Sequence, residues 1–168
     1  MTDASAPGRR PFLAVAVLAL VLAGGLLSRP LHGAAPIAYR LSFPAPEHHW
    51  MLVDATFPDL DAAPLELRMS RSSPGRYSLH DFAKNVYDVE AAGPDGRALE
   101  LVRPDPYGWT LREHGPSLTL RYKIFGDTID GTYLAIDTTH VHMNMPAAFM
   151  WARGLDDRPI RLVLTPVP

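Results

Sequence analysis

The sequence predicts an all-β fold: an antiparallel β-sandwich with one short helix, preceded by an N-terminal hydrophobic signal or anchor helix. Three observations lead there. From Ile37 onward the chain runs in short apolar stretches broken by Pro, Gly and Asp, the spacing of an antiparallel sandwich or barrel. Two stretches alternate with period two: Leu65, Leu67 and Met69 against Glu66 and Arg68, then Leu118, Leu120, Tyr122 and Ile124 against Thr119, Arg121 and Lys123. Each therefore has one apolar face, as a half-buried strand does. Helical periodicity is confined to one short segment, and the 17 prolines suit strand ends and edges better than strand interiors.

Taken in order, the first element is a leader over residues 1–35. Arg9 and Arg10 precede an apolar run from Pro11 to Leu27, no charge follows until Arg29, and the small residues Gly33, Ala34 and Ala35 come next. This is the form of an export signal. The stretch from Gly8 to Leu13 also resembles a twin-arginine signal. The competing reading is an uncleaved membrane anchor, because the run is near the ~17-residue minimum for spanning a bilayer. His32, at the third position before a cut after Ala34, is not the small residue that cleavage favours. Under either reading Arg9 and Arg10 stay cytoplasmic by the positive-inside tendency. The body is then exported, either periplasmic or anchored on the outer side of the inner membrane, with membrane contact only through an uncleaved leader.

The body, residues 36–168, is expected to be one domain. Roughly 130 residues can bury about two-thirds of the surface that the unfolded chain exposes. Strands are predicted from Ile37 to Phe43, Trp50 to Phe57 and Leu65 to Met69. A short helix is predicted from Leu79 to Asn85, where Leu79, Phe82 and Ala83 share a face after Ser78 as N-cap. Further strands are predicted from Val86 to Ala91, Leu99 to Arg103, Trp109 to Arg112, Leu118 to Ile124, Thr132 to Ile136, Val141 to Met145 and Ile160 to Leu164. Gly93-Pro94-Asp95-Gly96 is a strong turn between two of them. No internal repeat or low-complexity tract interrupts the series.

Composition excludes several classes of function. Of the 168 residues 47% are hydrophobic and 20% charged, an ordinary globular balance rather than a disordered one. The net charge of -2, from 16 basic and 18 acidic residues dispersed along the chain, offers no counterion-release surface for nucleic acid. Cysteine is absent, which removes disulfides, thiolate metal sites and a cysteine nucleophile together.

Four groups of residues could carry chemistry. His140, His142 and Asn144 share one face of a predicted strand while Val141, Met143 and Met145 share the other. Two imidazoles so spaced can ligate zinc if Asp137, His80 or the pair His48 and His49 completes the set; otherwise they form a polar face lining a cleft or meeting solvent. Ser73-Pro74-Gly75-Arg76-Tyr77 has the form of a type II turn, with Pro fixing φ and Gly permitting positive φ. Ser70, Ser72, Ser73 and Ser78 lie near His80 and Asp81, but no Gly-x-Ser-x-Gly elbow accompanies them, so the likeness to a triad is compositional. His48-His49-Trp50 reads as a binding rim or as an exposed loop pair before a core-facing Trp. None of the seven histidines begins a His-Glu-x-x-His zinc motif.

Two stretches resemble a known family. The first runs from Leu67 to Val86 and contains Ser73, Pro74, Gly75, Tyr77, Phe82, Ala83 and Lys84. The second runs from Tyr122 through Tyr133, Leu134, Asp137, Thr139, His140 and Asn144, and closes with Phe149-Met-Trp-Ala-Arg-Gly154. Together they resemble the N-terminal domain of the M61 metallopeptidases, the glycyl aminopeptidases, from about Tyr39 to the C-terminus. Ser72 stands where that family usually has Trp, and one extra residue precedes Asp137.

The resemblance implies a β-sandwich that precedes a thermolysin-like zinc domain and a PDZ domain, in enzymes that remove N-terminal glycine or alanine. On that footing the chain is expected to be a non-catalytic domain that packs on a catalytic metallopeptidase domain and helps wall its peptide cleft. It is expected to hold no cofactor itself, the zinc belonging to the catalytic domain, and Leu162 to Pro168 falls about where the family passes into that domain. Pro74, Gly75, Arg76, Tyr77, His140, His142 and Asn144 are the candidate contacts with substrate or with the second domain. The alternatives are a freestanding envelope module that binds a peptide or protein, and a metal site at His140 and His142.

Overall fold

A computed structural model describes residues 33–166. The leader expected over residues 1–35 therefore lies, as far as residue 32, outside the described residues. No helix among the described residues is long and apolar enough to cross a membrane.

The described chain is mostly β. In order it forms β1 (Ile37–Ala45), β2 (Trp50–Phe57), β3 (Leu65–Met69), β4 (Val86–Ala92), β5 (Ala98–Leu99), β6 (Val102–Asp105) and β7 (Gly108–Leu111). These are followed by β8 (Leu118–Phe125), β9 (Leu134–Ile136), β10 (Val141–Met143), the single α-helical turn α1 (Met145–Ala148), β11 (Met150–Ala152) and β12 (Ile160–Leu164). A six-stranded sheet has the order β12-β1-β2-β8-β4-β5, a four-stranded sheet the order β11-β3-β7-β6, and β9 and β10 form a hairpin.

Alternation drives the layering. β1 buries Ile37, Tyr39, Leu41 and Phe43, β2 buries Met51, Val53, Ala55 and Phe57, and β8 buries Leu118, Leu120, Tyr122 and Ile124. The register aligns these sets, with Leu41 opposite Val53 and Val53 opposite Tyr122. From the four-stranded sheet Leu65, Leu67, Met69, Trp109, Leu111 and Met150 enter the same apolar core. Both sheets thus bury one face against the other.

Two tyrosines tie the sheets through polar contacts inside that core. The Tyr39 hydroxyl donates to the Met150 carbonyl at 2.7 Å. The Tyr122 hydroxyl donates to the Ala148 carbonyl at 3.1 Å and accepts from the Met150 N–H at 3.0 Å. They satisfy the backbone where α1 passes into β11, which would otherwise hold buried orphan groups. Burial disfavours the phenolate, so the Tyr39 hydroxyl is pushed up to about 12 and that of Tyr122 is raised as well.

The structure departs from the sequence reading in several places. The strand expected from Leu99 to Arg103 is broken between β5 in one sheet and β6 in the other, and that expected from Val141 to Met145 ends at Met143. The six-stranded sheet is not antiparallel throughout, because β12 pairs parallel with β1, Tyr39 beside Leu162. β12 reaches β1 by crossing over from β11 in the other sheet, and such a crossover permits the parallel direction. The helix expected from Leu79 to Asn85 is a 3-10 turn limited to Phe82–Asn85, since the His80 N–H is held by the Arg71 carbonyl at 2.9 Å and draws Leu79 out of the turn. The α-helical turn lies instead at α1, where Pro146 occupies the first turn and has no N–H to leave unpaired. Trp50 belongs to the outer face of β2 rather than the core, with Tyr87 and Phe125 each edge-on at 5.3 Å.

Candidate functional site

The Pro-Gly turn adopts the expected geometry. Gly75 has φ of 74°, and the Arg76 N–H closes the turn on the Ser73 carbonyl at 3.1 Å, so the positive φ at the third position falls to the one residue without a Cβ. Two ties fasten this loop to the one before β9. Asn144, just after β10, donates through its side-chain amide to Ser73 Oγ and to the Thr132 carbonyl. Arg76 Nη2 donates to the Asp130 carbonyl at 3.3 Å.

The second loop is braced by its own carboxylate. Asp130 Oδ1 accepts the Thr132 N–H at 2.8 Å and the Tyr133 N–H at 3.0 Å, and Gly131 between them has φ of 72°. The Tyr133 and Thr132 amides favour the ionised form and hold the Asp130 carboxyl below the usual carboxylate range. These ties fix what the loops carry outward. Tyr77 is fully exposed, Leu79 is 70% exposed and Ile129 is 86% exposed. Large apolar side chains so exposed contribute almost nothing to the core.

Pro74, Gly75, Arg76, Tyr77 and Asn144 therefore belong to one braced assembly, with Asn144 acting as the clamp. His140 and His142 share no hydrogen bond or ion pair with it among the described residues. His142 lies on the exposed face of β10, opposite Ala135, while Val141 and Met143 are half-buried. His140 sits outside the strand, in a turn capped by Asp137. Asp137 Oδ1 accepts from Thr139 Oγ1 at 2.6 Å, from the Thr139 N–H at 2.6 Å and from the His140 N–H at 2.9 Å. The Thr139 hydroxyl is the largest of the influences that pull the Asp137 carboxyl down to about 2.

The remaining polar residues are dispersed. His49 Nδ1 lies 2.6 Å from the Ile136 carbonyl. His80 stacks on Phe82 with centroids 5.1 Å apart, and its Nε2 is buried without a hydrogen-bond partner. Ser70 bonds locally to Ser72, whereas Asp81 accepts from the Tyr107 hydroxyl. No Ser, His and Asp here are linked as nucleophile, base and orienter, and among the described residues no three His, Asp or Glu side chains gather at metal-ligand distance. Among the described residues no side chains are gathered to hold the zinc that the resemblance assigns to a separate catalytic domain, and the sequence has no His-Glu-x-x-His.

Sequence reasoning missed Leu79, Ile129 and Asp130. Leu79 was absorbed into a helical face. The signal for the other two was present in Asp127-Thr-Ile-Asp-Gly131, where an apolar residue sits within a turn-forming polar run.

Fold and site together define a β-rich domain that displays braced apolar loops at one end. The family described as the peptidase M61 N-terminal domain matches residues 38–168, and the chain belongs to that family. A solved structure of an aminopeptidase N family protein from Idiomarina loihiensis is similar with a TM-score of 0.74 and 22% identity, over 79% of this chain and 22% of that one. At this identity the likeness shows the fold, and the chain spans about a fifth of that protein's length. No curated protein matches the sequence.

Proposed function

We propose that this chain serves as the non-catalytic N-terminal domain of an M61-type zinc aminopeptidase, packing on a catalytic domain, helping to wall its peptide cleft and hydrolysing nothing alone. The exposed triplet of Tyr77, Leu79 and Ile129 supports this reading. A partner that covers such side chains gains roughly 1.5–3 kcal/mol for each one fully buried. Arg76 and Asn144 already restrain the loops, so less conformational freedom is lost on contact. In this reading the domain acts in the periplasm or on the outer side of the inner membrane, reached through the leader that contains Arg9 and Arg10.

Two measurements test it. Purified chain, with and without zinc, is expected to give no turnover of glycine or alanine aminoacyl substrates, and turnover would refute the reading. In the second, an M61-type catalytic domain from the same organism is titrated with this chain. Binding is expected to weaken at least tenfold for Tyr77→Ala combined with Ile129→Ala, a change of about 1.4 kcal/mol or more. A catalytic domain that binds both forms equally, or neither, would overturn the proposed contact.

A further inference from the structure

Away from the loop end, a second apolar feature lies on the flank where the two sheets part. The register Ile37 with Ile160, Tyr39 with Leu162 and Leu41 with Leu164 sets Ile160, Leu162 and Leu164 on the core side of the six-stranded sheet. Yet every residue of β12 is exposed. The four-stranded sheet ends at β11, so β12 overhangs it. The space beneath is a groove of about 450 Å³ lined by Tyr39, Met145, Phe149, Trp151, Ile160 and Leu162.

The outer edge of β12 has no strand partner among the described residues. Proteins ordinarily blunt such edges by shortness, proline, charge or a bulge. The other three sheet edges follow that practice: β5 has two residues, β11 has three, and β6 contains Arg103 and Pro104. β12 has five residues, neither Pro nor Gly, and Arg161 as its single charge. It is the one edge of the two larger sheets left fit for pairing.

We propose that this flank is a homodimer interface in which β12 pairs antiparallel with β12 of a second copy about a two-fold axis at Leu162. The strand is self-complementary in that register. Ile160 then faces Leu164, Arg161 faces Val163 and Leu162 faces its own counterpart, so no like charges stand directly opposite. Exposed area points to the same occupant. Ile160 is 67% exposed, Leu164 56%, Met145 51%, Trp151 38% and Leu162 37%, a run of apolar side chains of the kind that a standard interface of about 800 Å² per partner is built from. The strand's own backbone and the groove walls supply further area. A net charge of -2 adds little long-range repulsion between copies.

The absence of cysteine makes the test direct. Antiparallel neighbours lie about 4.5–5.5 Å apart at Cα, within reach of a disulfide. Full-length chain in mild detergent carrying Leu162→Cys is therefore expected to oxidise to a covalent dimer about tenfold faster than chain carrying Glu100→Cys, which follows β5 at the opposite end of the sheet. Sedimentation velocity at tens of micromolar is expected to give a dimer for the unaltered chain and a monomer for Leu162→Lys, which places two ammonium groups face to face across the axis. Equal oxidation of the two cysteine variants would overturn the proposal, as would a monomeric unaltered chain, the outcome if a different polypeptide covers the flank. A dimer that Leu162→Lys leaves intact would also overturn it.

Discussion

The loop end and the flank both leave large apolar side chains in water, and they do so by opposite means. At the loop end Tyr77 and Ile129 extend from irregular backbone, and the restraint comes from polar ties: Asn144 to Ser73 and Thr132, Arg76 and Asp130 within the loops. At the flank the exposed residues belong to a regular strand whose sheet neighbours, Tyr39 and Leu41, are core. Exposure there comes from two sheets of unequal width. A side chain displayed on a tied loop is energetically separable from the fold, whereas one displayed on a sheet margin shares its neighbours with the core.

That contrast can be broken by experiment. The largest effect is expected at the junction behind the flank. Tyr122→Phe removes the partner of both the Ala148 carbonyl and the Met150 N–H, and should lower stability in urea by roughly 2–3 kcal/mol, the cost of orphaning buried backbone groups. A loss as small as that of a surface change would mean the flank is not coupled to the core. Asn144→Ala should cost less, about 1–2 kcal/mol, because Asn144 is itself only half-buried. Its signature is faster hydrogen exchange confined to residues 70–80 and 126–133, and uniform acceleration across the domain would contradict a local clamp.

Acid and alkali should separate the regions further. Asp130 is held below its ordinary value of 3.8, so the support it gives the loop end is present above that pH and is lost as pH falls through its lower folded value. Tyr39 is shifted the other way. Its contribution at the flank is intact below its ordinary 10 and is lost as pH rises through about 12. Segment-resolved hydrogen exchange should show the loops opening first in acid and β1 with β12 first in alkali, with Tyr39→Phe abolishing the alkaline response; the reverse order would invert the assignment. The smallest effect on stability is expected from Tyr77→Ala, within about 0.5 kcal/mol in a melt, since that side chain touches solvent alone.

What could be read from the sequence follows the range of the interaction. β2, β3 and β12 lie where apolar alternation or β-rich composition places them, because burying one face of a strand writes period two into neighbouring residues. The Pro74-Gly75 turn was equally legible, its geometry being decided within four residues. Alternation misled at Met145, which continues the apolar pattern of β10 yet begins α1. It could not show that β12 runs parallel to β1, since direction depends on a crossover rather than on local pattern. The clamp was harder still: Asn144 and Ser73 meet at 3.0 Å across 71 residues of sequence, and neither residue type announces its partner.

The pairing of β1 with β12 also sets an order of events. The strand nearest the start of the described chain waits for the strand nearest its end, so the edge of β1 stays open for most of the time that the body takes to be synthesised. Contacts of such long sequence separation form slowly, because loop closure must come before they stabilise anything. In the interval Tyr39 and Leu41 lie beside an unfilled margin. Until β12 arrives, the domain presents a sheet that is one strand narrower than the finished one.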